Sequence, residues 1–132
     1  MVTQHTNSTA RAAVRRSVLV VDDELNFVLL LDRVLSKKGY QVKTATNGEQ
    51  ALALIREQAT FDLAIIDITM EPMDGLSLLV ELKQHLPRLK VIMLTAYPTY
   101  ETHMTSIKKG ASAYFSKPVE LGTFLEAVSQ LS

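Results

Sequence analysis

The chain is predicted to be an α/β protein, a parallel five-stranded sheet with helices on both faces. Three observations carry that prediction. Short β-branched runs alternate five times with segments whose apolar residues recur at three and four positions. Gly, Pro and Asn punctuate many of the joins. The unusual polar residues gather where the β-branched runs end.

The first run, "SVLVVD", reads as a strand. "ELNFVLLLDRVLSKKG" then places Leu25, Val28, Leu31 and Leu35 along one side of a helix, with Gly39 as its stop. "YQVKTA" is a second strand, and "NGEQALALIREQ" a second helix opened by Asn47 and Gly48. "FDLAIID" is the third strand. "GLSLLVELKQHL" is a helix with Leu76, Leu79 and Leu82 on one side, closed before Pro87. "KVIMLT" is the fourth strand, followed by a more weakly patterned helix over "YETHMTSIKKG". "SAYFS" gives the fifth strand, and "ELGTFLEAVSQL" a last helix with Leu121, Phe124, Leu125, Val128 and Leu131 inward. Strict alternation implies parallel strands covered on both sides and joined by right-handed crossovers.

A chain of 132 residues suffices for one domain with its own core. The absence of Cys excludes thiol catalysis, iron–sulfur clusters, thiolate zinc sites and disulfides. The longest apolar runs, such as "FVLLL", hold only four or five residues and cannot span a bilayer. The start lacks the apolar middle of a secretory signal, so a cytoplasmic protein without membrane association is expected. Residues 1–16 contain Arg11, Arg15 and Arg16 and no acid, and read as a disordered basic tail before a domain over 17–132. The remaining 11 basic and 14 acidic side chains give no reason to expect direct nucleic-acid binding. His5, His85 and His103 lie in separate segments without metal-ligand spacing. Neither a glycine-rich phosphate loop nor a Ser-His-Asp arrangement is found.

In an open α/β sheet, ligands bind beyond the carboxyl ends of the strands. Here those ends carry Asp22, Asp23 and Glu24 on the first strand, Asp67 on the third, Thr95 on the fourth, and Lys117 with Pro118 after the fifth. Singly, each has an ordinary explanation: helix cap, turn acid or solvated lysine. Together they put carboxylates, a hydroxyl and an ammonium on one edge. Crowded carboxylates repel, and an oxygen-only donor set without Cys fits the hard ion Mg²⁺. Lys and Thr beside such a set suit a phosphoryl group, and a carboxylate there can be the nucleophile. Phosphoryl transfer onto Asp67, or hydrolysis near it, follows from the residues.

"VLVVDDE", "LAIIDITMEPMDG", "VIMLTAY" and "AYFSKP", in this order and spacing, resemble the receiver domain of bacterial two-component response regulators (CheY-like), over roughly residues 17–131. The resemblance implies a flavodoxin-like, doubly wound (βα)5 fold with strand order 2-1-3-4-5. It implies that Asp67 is the phosphoacceptor, and that Asp22, Asp23, Asp67 and the backbone carbonyl of Thr69 hold Mg²⁺. Lys117 would pair with the phosphoryl oxygens and Thr95 would bond to one of them. Tyr114 would be an aromatic switch, and the Lys117–Pro118 bond would be cis. The donor would be a sensor histidine kinase or a histidine phosphotransfer protein. Phosphorylation would alter the surface of the fourth helix, fifth strand and fifth helix for a downstream protein, an output domain of the same polypeptide or a second copy of the chain. Such a domain assists only its own phosphorylation and dephosphorylation, so it is not expected to be an enzyme.

Two departures stand out. Glu71 occupies a place where the family usually has Pro, and Pro72 follows it. Thr69 and Tyr97 stand where the family tunes hydrolysis; neither positions water well, so slow loss of the phosphoryl group is expected. The main alternatives are the receiver portion of a larger regulator with a DNA-binding or enzymatic output, and an aspartate-nucleophile phosphatase. The latter generally has a second acid two residues after the nucleophile, where this chain has Thr69.

Overall fold

A computed structural model of the chain describes residues 16–57 and 60–132. Most of the expected basic tail, including Arg11 and Arg15, lies outside the described residues. Arg16 is described, and its carbonyl accepts the Gln41 N–H at 2.8 Å.

Among the described residues, ten elements alternate as the patterns predict: β1 (Ser17–Val21), α1 (Leu25–Lys37), β2 (Gln41–Ala45), α2 (Gly48–Glu57), β3 (Leu63–Asp67), α3 (Gly75–His85), β4 (Lys90–Thr95), α4 (Tyr100–Lys108), β5 (Ala113–Ser116) and α5 (Leu121–Leu131). All strand pairs are parallel, in the order β2-β1-β3-β4-β5. This is the flavodoxin-like arrangement.

Alternation along each strand divides the core in two. Leu19, Val21, Ala64, Ile66, Val91 and Met93 face α2 and α3, meeting Ala51, Ile55, Leu78, Leu79 and Leu82. Val18, Val20, Leu63, Ile65, Ile92 and Leu94 face α1 and α5, meeting Val28, Leu31, Leu35, Phe124 and Val128. The three central strands are apolar at both parities because both of their faces are covered. The edge strand β2 keeps only Ala45 fully buried.

Helix ends follow local chemistry. Asn47 Oδ1 accepts the Gln50 N–H at 2.8 Å and starts α2. Gly39 (φ 97°) and Gly110 (φ 104°) end α1 and α4 in the left-handed conformation. In each case the next residue's N–H reaches back to the helix, Tyr40 to Leu35 and Ala111 to Ser106.

The expectation that Leu25 joins the buried side of α1 is corrected: it is 58% exposed, while Val28, Leu31 and Leu35 are buried. Helical side chains lean toward the N-terminus. The first-turn Leu25 therefore points past the strand ends, where no sheet lies beneath it. Leu121 opens α5 and is exposed for the same reason. On α3, Leu78 is fully buried and Leu76 only partly so, which turns the apolar side slightly from the expected one.

Gly75 fixes the path of the loop after β3. Its N–H donates to the Ile68 carbonyl at 2.8 Å, and a Cβ there would fall far inside contact distance of the Asp67 carbonyl oxygen. Because the clash is with backbone, Gly75→Ala is expected to lower stability by about 3 kcal/mol or more. A fall in the urea midpoint checks this; an unchanged midpoint contradicts it.

Candidate functional site

The division of the sheet also selects which polar residues meet. Asp22 follows Val18 and Val20 in β1, Asp67 follows Leu63 and Ile65 in β3, and Lys117 follows Ala113 and Phe115 in β5. All three fall on the parity of the α1/α5 face, at the carboxyl end where the core gives way to solvent.

Ligand oxygens of Asp22, Asp23 and Asp67 lie within 4.8 Å of one another. Asp22 is 1% and Asp67 5% exposed, whereas Asp23 faces solvent. Lys117 Nζ stands 2.6 Å from Asp22 Oδ2, 3.5 Å from Glu24 Oε1 and 3.8 Å from Asp67 Oδ1. The same ammonium lies 4.5 Å from the centre of the Phe27 ring, whose π face favours a cation. The Lys117 N–H donates to the Thr95 carbonyl at 2.8 Å, and the Lys117–Pro118 bond is cis, as the resemblance implied. Glu71–Pro72, in the loop after Asp67, is also cis.

Burial and repulsion act together on the acids. Burial, and next the charge of Asp22, push the Asp67 carboxyl up to about 6, against the pull of Lys117. Asp22 is also raised: burial outweighs its hydrogen bonds from Lys117 and from the Glu24 N–H. Burial lowers the Lys117 ammonium, but its bond to Asp22 and the charges of Asp22, Asp67 and Glu24 together raise it overall. One ammonium thus serves several carboxylates and leaves negative charge uncompensated. The donor set is all oxygen, so it fits a hard divalent cation.

The remaining expected residues are placed less centrally. The Thr69 N–H donates to the Asp67 carboxylate. Thr95 is 1% exposed at the end of β4, and its hydroxyl accepts the Tyr97 N–H at 3.0 Å. Tyr114 packs on the α2/α3 core and leans on α4. There it stacks on His103 with ring centres 4.6 Å apart, and its hydroxyl lies 2.7 Å from Thr102 Oγ1. The structure therefore brings Asp22, Asp23, Asp67 and Lys117 together, with Thr95 on the adjoining strand end and Tyr114 against α4. Phe27 and the partners of Tyr114 were missed by the sequence reading. Phe27 sits one helical turn after Asp23, but nothing local points it at Lys117.

The response regulator receiver domain family matches residues 18–129. The chain belongs to that family. Over 103 residues it is 41% identical to the transcriptional regulatory protein ZraR of Escherichia coli (strain K12), covering 78% of this chain and 23% of that protein. Over 117 residues it is 32% identical to the sporulation initiation phosphotransferase F of Bacillus subtilis (strain 168), covering 89% of this chain and 94% of that protein. The crystal structure of the response regulator protein TrrA from Thermotoga maritima, in complex with Mg²⁺-BeF, matches with a TM-score of 0.79 and 36% identity. That match covers 89% of this chain and 99% of TrrA. The receiver thus spans about a quarter of the ZraR protein's length and nearly all of the Bacillus protein's. Among the described residues, no helix is long and apolar enough to cross a membrane.

The raised Asp67 value has a signed consequence for stability. Without metal, its folded-state pKa of about 6 exceeds the ordinary 3.8, so the folded receiver holds this proton more tightly than the unfolded chain. The resulting destabilisation is absent below the unfolded value and complete above the folded one. Asp67→Asn is expected to stabilise the metal-free protein by on the order of 1–3 kcal/mol above pH 7 and by little near pH 3.5. Chemical denaturation in a chelator across that range checks it; a pH-independent difference contradicts it.

Proposed function

We propose that this receiver accepts a phosphoryl group on Asp67 from a phosphohistidine, carried by a sensor histidine kinase or a histidine phosphotransfer protein. The observation that supports this most is the convergence of three carboxylates and one ammonium at the ends of β1, β3 and β5.

In the transfer, an Asp67 oxygen attacks phosphorus as the phosphorus–nitrogen bond to the donor imidazole breaks. The product is an acyl phosphate. With a pKa of about 6, Asp67 is mostly ionised at neutral pH and ready to act as nucleophile. Lys117, 3.8 Å from Asp67 Oδ1, meets the negative oxygens of the phosphoryl group as they arrive. Asp22, held by the Glu24 N–H at 2.9 Å, keeps the ammonium in place. When bound by Asp22, Asp23, Asp67 and the backbone carbonyl of Thr69, Mg²⁺ supplies the positive charge that this site lacks. The Mg²⁺-BeF complex of the related Thermotoga receiver supports that choice of ion.

Thr95 then turns its hydroxyl proton to a phosphoryl oxygen, and Tyr114 changes position behind it. The surface of α4, β5 and α5 carries the signal to a downstream protein or a second copy of the receiver, in the cytoplasm. The receiver turns over no separate substrate and binds neither nucleic acid nor membrane. A second reading is favoured by one observation, the match to a quarter of ZraR. In it, the same surface controls a DNA-binding or enzymatic output segment of a longer polypeptide.

Incubation with Mg²⁺ and acetyl phosphate, followed by intact-mass analysis, tests the proposal. One phosphate is expected on the wild type, none on Asp67→Asn, and a labelling rate lower by roughly 100-fold on Lys117→Met. Because Thr69 and Tyr97 position water poorly, the label should last minutes. Labelling of Asp67→Asn sinks the acceptor assignment, and decay within seconds sinks the account of its lifetime.

A further inference from the structure

Tyr114 is held by more than packing, and what holds it is the start of a helix. Thr99 is the N-cap of α4, and its hydroxyl accepts the Thr102 N–H at 3.0 Å. The Thr102 hydroxyl returns to Thr99, lying 3.2 Å from its carbonyl and 3.4 Å from its N–H. The Tyr114 hydroxyl enters this same box, 2.7 Å from Thr102 Oγ1 and 3.4 Å from the Thr99 N–H. The Thr99 and Thr102 hydroxyl oxygens also lie 2.9 Å apart, and one proton order is compatible with the remaining contacts. Tyr114 donates to Thr102, Thr102 donates to the Thr99 carbonyl, and the Thr99 N–H is shared between the two hydroxyl oxygens. The His103 ring, 12° from parallel with Tyr114, stacks on it.

The loop joining β4 to α4 is tied at both ends by switch residues. The Tyr97 N–H is held by the Thr95 hydroxyl, and the Thr99 N–H by Tyr114 and Thr102. Pro98 between them has no N–H. A hydroxyl can accept from Tyr97 and donate elsewhere at once. Thr95 can therefore bond a second group while still accepting from the Tyr97 N–H.

We propose that Thr102 is a positioning residue, a catch that ties the location of Tyr114 to the integrity of the first turn of α4. Departure of Tyr114 removes one member of the cap, so the ring's position and the order of that turn form a single equilibrium. The catch opposes the switched state. Its role in signalling rests on the proposed phosphorylation of Asp67, whereas the coupling itself does not.

The full chain with Thr102→Val, Thr102→Ser, Tyr114→Phe and the Thr102→Val/Tyr114→Phe pair provides the test, by amide hydrogen exchange without phosphodonor. Exchange at Thr102 and His103 is expected to rise roughly three- to tenfold in Thr102→Val and in Tyr114→Phe. It should be restored in Thr102→Ser, be no faster in the pair than in either single variant, and leave amides of the central strands unchanged. Additive effects in the pair, an unaffected α4 in Tyr114→Phe, or a uniform rise across the sheet overturns the catch. Beryllium fluoride, a phosphoryl mimic, is then titrated with Mg²⁺. Thr102→Val should reach the switched spectrum at roughly three- to tenfold lower concentration than wild type, and an equal midpoint overturns opposition to switching. A wild type that ignores beryllium fluoride sinks the Asp67 reading instead, leaving the exchange result to decide the coupling.

Discussion

Mutual repulsion among three carboxylates, held within 4.8 Å of one another at the rim of a dry sheet, is the constraint on which the site depends. Two of the three are almost fully buried, so water cannot dissipate their charge. The partial remedy is Lys117, which approaches Asp22 most closely and Asp67 less closely. That asymmetry leaves Asp67 raised to about 6 and still able to ionise near neutrality. A site fully neutralised by its own cations would have no use for a metal ion or an incoming phosphoryl group. This one keeps negative charge that a divalent cation would offset, and only with that offset would an anionic phosphoryl group be tolerated.

The fold holds the acids where neither chain locality nor solvation would put them. Asp22 and Asp67 come from neighbouring parallel strands, and Lys117 from the far edge of the same sheet. Apolar packing against α1 and α5 drives these strands together, and the carboxylates arrive as a consequence of strand parity. Gly75 belongs to the same logic, because only a residue without Cβ lets the next helix begin against the Asp67 carbonyl. Stability elsewhere thus maintains a local electrostatic cost.

Much of this was legible in the sequence because it is local. β-branched runs ending in Asp22 and Asp67, and the helical spacing of Val28, Leu31 and Leu35, require no knowledge of distant partners. The order of strands, and the separate roles proposed for the acids, came from four motifs read together. What was not legible depends on how distant segments meet. Leu25 follows the helical pattern but lies beyond the sheet's end. Phe27 touches Lys117 only because β5 delivers the ammonium to α1. Tyr114 was recognisable by its spacing from Lys117, while its partners Thr102 and His103 lie on a helix whose apolar pattern is weak and which buries only Ser106.

The claim that crowding of the acids drives cation capture is tested most directly by counting protons. Calorimetric titration with Mg²⁺ near pH 6, repeated in buffers of different ionisation enthalpy, gives the number released per ion bound. With Asp67 half protonated at that pH, about half a proton should leave for each Mg²⁺, falling to near zero at pH 8. Mg²⁺ binding with no proton release at pH 6 would contradict the account.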